Sequence, residues 1–272
     1  MKKLLTMFCA LAMMVALAGC GAQPAGNDEA AAGTDTKAAS DVTYVKDKGE
    51  MVIGYTVYEP MNYTDANGEF VGFDTEFAKA VCEKLGVTPK FVEIDWDNKF
   101  LELESKSIDC IWNGMTITNE VKMNTNVTKP YVKNAQVVVM KADKLAEYAD
   151  IDSMKELKFA AEAGSAGEKA IEESGLDANY TAVAAQTDAM LEVMSGSVDA
   201  CVIDNTMATA MTGEGTSYAS LGAGLELTSE EYGIGFRKDS DLTDEVNSII
   251  DELMQDGTMD KLAETYALTL AK

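Results

Sequence analysis

A chain of 272 residues, 47% hydrophobic and 25% charged, is long enough to bury one large core or two smaller ones. Its formal net charge of −24 repels phosphate backbones and anionic headgroups, which excludes nucleic acid as a partner. The absence of histidine removes both the commonest transition-metal ligand and the usual general base of serine hydrolases, so no metal or cofactor is expected.

Lys2 and Lys3 precede an apolar run from Leu4 to Leu17 and then small residues, an export-signal pattern over residues 1–19 that is too short to span a bilayer. The segment closes on Leu17-Ala18-Gly19-Cys20, which resembles the lipobox of bacterial lipoproteins. That resemblance implies that Cys20 becomes the lipidated first residue of the mature chain and that the membrane is met through this anchor only. Residues 20–40, rich in Ala, Gly, Asp and Thr, read as a flexible tether. Without the two signal lysines the charge is −26, which keeps an exported domain soluble.

Met51 to Tyr55 reads as a strand, and Asp65-Ala-Asn-Gly68 as a hairpin-like turn lacking the further ligands of a calcium loop. A helix is expected from Asp74, which would cap it, with Phe77, Val81 and Leu85 on one face and Gly86 as its stop. Phe91–Ile94 is the next strand, and 97–105 the next helix. Asn134 to Lys141 is a continuous apolar strand placed to cross from a first lobe to a second, Tyr232 to Lys238 would cross back, and two helices near 242–255 and 258–268 finish the chain. Cys82, Cys110 and Cys201 sit in apolar patterns at no metal-like spacing and read as buried free thiols.

The run Ser105-Lys-Ser107-Ile-Asp109-Cys-Ile-Trp-Asn113 has a second copy in Ser195-Gly-Ser197-Val-Asp199-Ala-Cys-Val-Ile-Asp204, each after a helical pattern. Two βαβ-rich lobes with parallel-rich sheets follow: 41–137, then 138–229, with 230–272 returning to the first. In open α/β sheets the ligand crevice lies beyond the carboxyl ends of the strands, so Asn113 and Asp204 should open into one cleft. The hydroxyls of Thr116 and Thr118 then line a site and not a core. Asp109 and Asp199 precede their strands and should orient turns at the far end, and Trp112 is expected in the core.

The segments IGYTVYEPMNY, GEFVGFDTEFAKAVCEKLG, SIDCIWNGMTIT, GIGFRKDSDL and MQDGTMDKLAETY resemble, from Met51 to the C-terminus, the bacterial extracellular solute-binding proteins of polar amino-acid type that serve ABC importers. The resemblance implies a two-lobed type 2 periplasmic-binding-protein fold joined by two hinge strands, closing on a small ligand. It implies Tyr58 packed on the ligand and Trp96 on the apolar wall. Asn113, Gly114 and Thr116 would hydrogen-bond from the first lobe, the turn at Ser165 and Ala166 would offer amides from the second, and Asp204 would bind the α-ammonium. It also implies ABC permease transmembrane subunits as partners, a monomer, and an extracytoplasmic, lipid-anchored place at the bacterial cell membrane; the polar tether fits a Gram-positive surface.

One departure is plain. Where the family commonly carries an arginine for the α-carboxylate this chain has Val121, and its only arginine, Arg237, lies on the returning strand. Either Thr116, Thr118, Ser165 and backbone amides hold the carboxylate, or the ligand has none there and is a non-carboxylate amine or nucleobase-like molecule. Cys82, which pairs with a later cysteine in some relatives, has no partner here. Because some proteins of this fold are dehydratases, an enzyme is the competing class, with Glu162 or Glu168 as general acid. Binding without catalysis is the expectation, and with neither a spanning segment nor a signalling domain after residue 272, so is a protein that is not a fused receptor.

Overall fold

The computed structural model describes residues 40–271, so the signal segment, Cys20 and all of the tether but Ser40 lie outside the described residues. Ser40 caps helix α1 (Asp41–Lys48), its hydroxyl accepting the Thr43 amide, and the chain turns through Gly49 into β1 (Glu50–Tyr55). A hairpin, β2 (Tyr63–Thr64) and β3 (Phe70–Val71), closes on the DANG turn, where Asp65 accepts the Asn67 and Glu69 amides. Then come α2 (Phe73–Leu85), β4 (Thr88–Glu93), a 3-10 turn at Trp96–Asn98, α3 (Lys99–Glu104), β5 (Cys110–Ile111), α4 (Asn119–Asn124) and β6 (Asn126–Val127). Beyond β7 (Val132–Asn134) lie β8 (Gln136–Lys141), α5 (Ile151–Met154), β9 (Phe159–Glu162), α6 (Ala166–Glu173), β10 (Tyr180–Val183), α7 (Gln186–Ser195), β11 (Ala200–Asp204), α8 (Asn205–Met211) and β12 (Leu221–Glu226). The chain returns through β13 (Glu230–Tyr232) to β14 (Gly235–Phe236) and ends in α9 (Leu242–Gln255) and α10 (Thr258–Thr265).

These strands build two sheets of the same plan. The first runs β4-β1-β5-β14-β6 and the second β10-β9-β11-β8-β12. In each, three parallel strands are followed by two alternately antiparallel ones. The internal repeat seen in the sequence extends to individual hydrogen bonds. Asp109 accepts the Val52 amide while its own amide returns to Val52 O, and Asp199 makes the same exchange with Lys158. Both aspartates therefore tie a strand start to its neighbour at the end away from the cleft, and the hydroxyl pairs Ser105–Ser107 and Ser195–Ser197 each span 2.9 Å. Arg237 sits at this far end as well, against Asp41 and Asp109.

The crossing lies a few residues before the expected place. β7 and β13 pair antiparallel, Asn134 opposite Glu230, as a two-stranded ribbon of their own. β8 belongs wholly to the second sheet and β14 to the first. The apolar run NAQVVVMK hides this because its composition does not change where it passes from one sheet to the next. Trp112 is core, edge-on to Phe77 at 4.9 Å, and Cys82, Cys110 and Cys201 are buried free thiols. Among the described residues no helix is long and apolar enough to cross a membrane.

Candidate functional site

The carboxyl ends of β5, β9 and β11 converge on a cavity of about 150 Å³ between the two sheets. Its wall includes Trp96, Asn113, Gly114, Thr116, Ser165, Ala166 and Asp204, all singled out in the sequence. Tyr58 stands apart. Its ring is 1% exposed and does not line the cavity; its hydroxyl shares hydrogen bonds with Thr206 and Tyr232. It backs the wall instead, its ring packed against Gly114, where only the absence of a side chain makes room: at φ +55° a Cβ there would stand 2.7 Å from Tyr58 Cε1.

Much of the first-lobe wall is occupied by its own scaffold. Asn113 Oδ1 accepts both the amide and the hydroxyl of Thr56, and Nδ2 donates to Thr56 O and Asn62 Oδ1, which locks the end of β5 to the end of β1. The Gly114 amide donates to Asp74 Oδ2 at 2.6 Å. Asp74 is therefore not the helix cap the sequence led us to expect, Gly72 occupying that position. It is a buried carboxylate that also accepts the Tyr131 hydroxyl, and burial pushes it up to about 7. Thr116 donates to Glu230, while the Thr118 hydroxyl caps α4 by accepting the Val121 amide. Val121 itself is buried against the apolar cluster that contains Trp96 and Met115.

From the second sheet, Ser165 caps α6 and Glu168 reaches back to the Gly164 amide at 2.6 Å. Asp204, 7% exposed, sits at the centre of a polar network. Its Oδ1 accepts from Asn134, Gln136 and Tyr232, whereas Oδ2 has one partner, Gln186 Nε2 at 2.6 Å. Burial and the neighbouring Glu230 push Asp204 up to about 7. Glu230 shares two of these donors, accepting from Asn134 Nδ2 and Gln136 Nε2, and accepts from the Thr116 hydroxyl as well.

Three cavity residues to which the sequence analysis gave no binding role stand out. Lys99, 5% exposed, sends Nζ to Trp96 O at 3.1 Å and to Gly164 O at 2.8 Å, and stands over the rings of Trp96 and Phe100. Burial draws its ammonium below its usual range. Gln186 opens α7 and holds Asp204 on two sides. Glu162, the last residue of β9, was named only as a conceivable general acid, yet the strand-end rule that found Asn113 and Asp204 applies to β9 equally. It is 2% exposed, and burial followed by the charge of Asp204 pushes it up to about 8. Among the described residues no cluster of three or more acidic or thiol side chains could hold a metal ion.

A family model described as bacterial extracellular solute-binding proteins, family 3, matches residues 51–269. The chain belongs to this family. Among relatives of this solute-binding protein, the arginine-binding extracellular protein ArtP of Bacillus subtilis is 28% identical over 98% of both chains. A mutant of the arginine-binding protein of T. maritima superposes with a TM-score of 0.77 at 32% identity, covering 83% of this chain and 98% of that one. An ancestral amino acid-binding protein, described as a precursor of cyclohexadienyl dehydratase, gives a TM-score of 0.76 at 30% identity, over 84% and 99%. The type 2 periplasmic-binding-protein fold expected from the resemblance is therefore the observed one.

Proposed function

We propose that this protein is the extracytoplasmic substrate-binding lipoprotein of an ABC importer, anchored through Cys20, and that it captures an amine-bearing amino acid by hinge closure and delivers it as a monomer to permease transmembrane subunits. The single observation that carries the reading is Asp204. A buried carboxylate whose Oδ1 is saturated by three donors and whose Oδ2 keeps acceptor capacity in a ligand-sized cavity is suited to an ammonium group. The arginine-binding relatives support the same class of ligand.

The β7/β13 ribbon supports closure, since two short strands are all that must flex to part the sheets. A ligand that touches both walls adds free energy only to the closed form and shifts the population toward it. With no arginine facing the cavity, the α-carboxylate would meet Lys99, the hydroxyl of Ser165 and the first amides of α6. A thermal-shift screen of the purified protein against the common L-amino acids, their decarboxylated amines and a set of nucleobases tests this reading. A ligand at a hundred times its Kd adds about 2.7 kcal/mol to the folded state. Stabilisation by an amino acid and not by its amine supports it; stabilisation by amines or nucleobases alone overturns the amino-acid assignment.

A further inference from the structure

Glu162 lines the same cavity as Asp204, is buried, and its Oε1 has no hydrogen-bond partner. The charged and polar groups around it come from several elements. Asp204 on β11 and Asp188 on α7 disfavour its charge, while Lys99 on α3 and the Thr56 hydroxyl beyond β1 favour it. Glu120 on α4, and Glu168, Lys169 and Glu172 on α6, complete the charged lining. Lys99 does not neutralise Glu162 by a direct pair: its ammonium is held by two carbonyl oxygens, and none of the ion pairs among the described residues includes it. Lys169 turns to Glu173 on its own helix.

The cavity thus holds two buried carboxylates, and among the described residues neither is in an ion pair with a cation. A carboxylate sealed from water without a partner is costly, and such groups persist where something outside the chain completes them. Resting on the amino-acid reading above, we infer that Glu162 is a second cation-recognising residue, so that the ligand carries, beyond the α-ammonium at Asp204, a side-chain ammonium or guanidinium that pairs with Glu162. In the empty site at neutral pH the place of that cation is taken by a proton, because burial holds the Glu162 carboxyl near 8. Binding then exchanges a proton for the ligand's charge, Glu162 releasing H⁺ to buffer as the pair forms.

The test is calorimetric titration of the full protein and of Glu162→Gln with L-arginine and L-lysine, against the uncharged analogues L-citrulline and L-norleucine. Wild type should bind the cationic pair at least about thirtyfold more tightly than the neutral pair, the scale of a buried charge losing its partner. In Glu162→Gln that preference should collapse, the cationic ligands losing far more affinity than the neutral ones. Repeating the wild-type titrations near pH 7 in buffers of different ionisation enthalpy adds a measurement that needs no variant. Arginine should release about one more proton than citrulline. Equal affinity for cationic and neutral ligands, equal proton release, or a uniform loss of all four ligands in Glu162→Gln would overturn the inference, the last by showing that Glu162 serves the α-ammonium. Failure of every L-amino acid to bind would instead sink the amino-acid reading on which it rests.

Discussion

Lys99 Nζ and the carbonyl oxygen of Gly164 meet at 2.8 Å across the cleft, joining a helix of the first lobe to the turn that opens α6 in the second. Gly164 allows the approach: at φ +67° it has no Cβ, and one added there would lie 2.8 Å from Asp97 Oδ1 and 3.0 Å from Asp97 Cα. A cation bound to backbone therefore bridges the two sides of the cavity wall.

Replacing Lys99 by Met keeps the apolar stem and removes this bridge. Hydrogen bonds to a charged group contribute about 1.5–3 kcal/mol, so ligand affinity should fall about tenfold or more. Titration calorimetry gives the affinity, and small-angle scattering of the ligand-free variant should show a wider average opening than wild type.

Asp204→Asn preserves shape while turning an acceptor into a partial donor. Its new N–H group must then confront donors from Asn134, Gln136, Gln186 and Tyr232. Loss of a buried charge partner should weaken amino-acid binding about a hundredfold or more. Ligand-induced thermal stabilisation should vanish with it, while the circular dichroism spectrum stays unchanged.

Gly114→Ala places a methyl group against the rings of Tyr58 and Tyr232 in a left-handed backbone conformation. Strain and overpacking each cost about 1–3 kcal/mol, so the urea midpoint should drop clearly. Gly68→Ala, also at positive φ but with nothing within 4 Å, carries the backbone penalty alone and should cost less.

Three buried carboxyls, Asp74, Asp204 and Glu162, are held at about 7, about 7 and about 8. A carboxyl whose folded value lies above its unfolded value binds its proton more tightly when folded. Its contribution to stability is full below the unfolded value near 4 and is lost as pH rises through the folded one. Ligand-free protein should therefore melt higher at pH 5 than at pH 8, with each group changing the slope by at most about 1.4 kcal/mol per pH unit. Asp74→Asn should flatten the profile without altering ligand selectivity, since Asp74 lies behind Gly114 and not on the cavity wall.

What could be read in advance was what is local or repeated. The helix ending at Leu85 follows from its apolar period and its Gly86 stop, and the equivalence of Asp109 with Asp199 follows from a shared Ser-x-Ser-x-Asp run. The surroundings of Tyr58 and Asp74 were not legible for a common reason. Their partners, Thr206 and Tyr232 for one, Gly114 and Tyr131 for the other, come from distant segments, and capping or stacking preferences carry no information about them. Glu162 was within reach, since it ends a strand just as Asp204 does. Only the unpartnered state of its Oε1 required coordinates.

The most direct test of amine capture at Asp204 is a calorimetric comparison of the best-bound L-amino acid with its Nα-acetyl derivative, which keeps side chain and carboxylate but lacks the α-ammonium. Binding of the free amino acid with loss of the acetylated one by a hundredfold or so is the expected result. Equal affinity for the two would contradict a role for Asp204 as the ammonium partner.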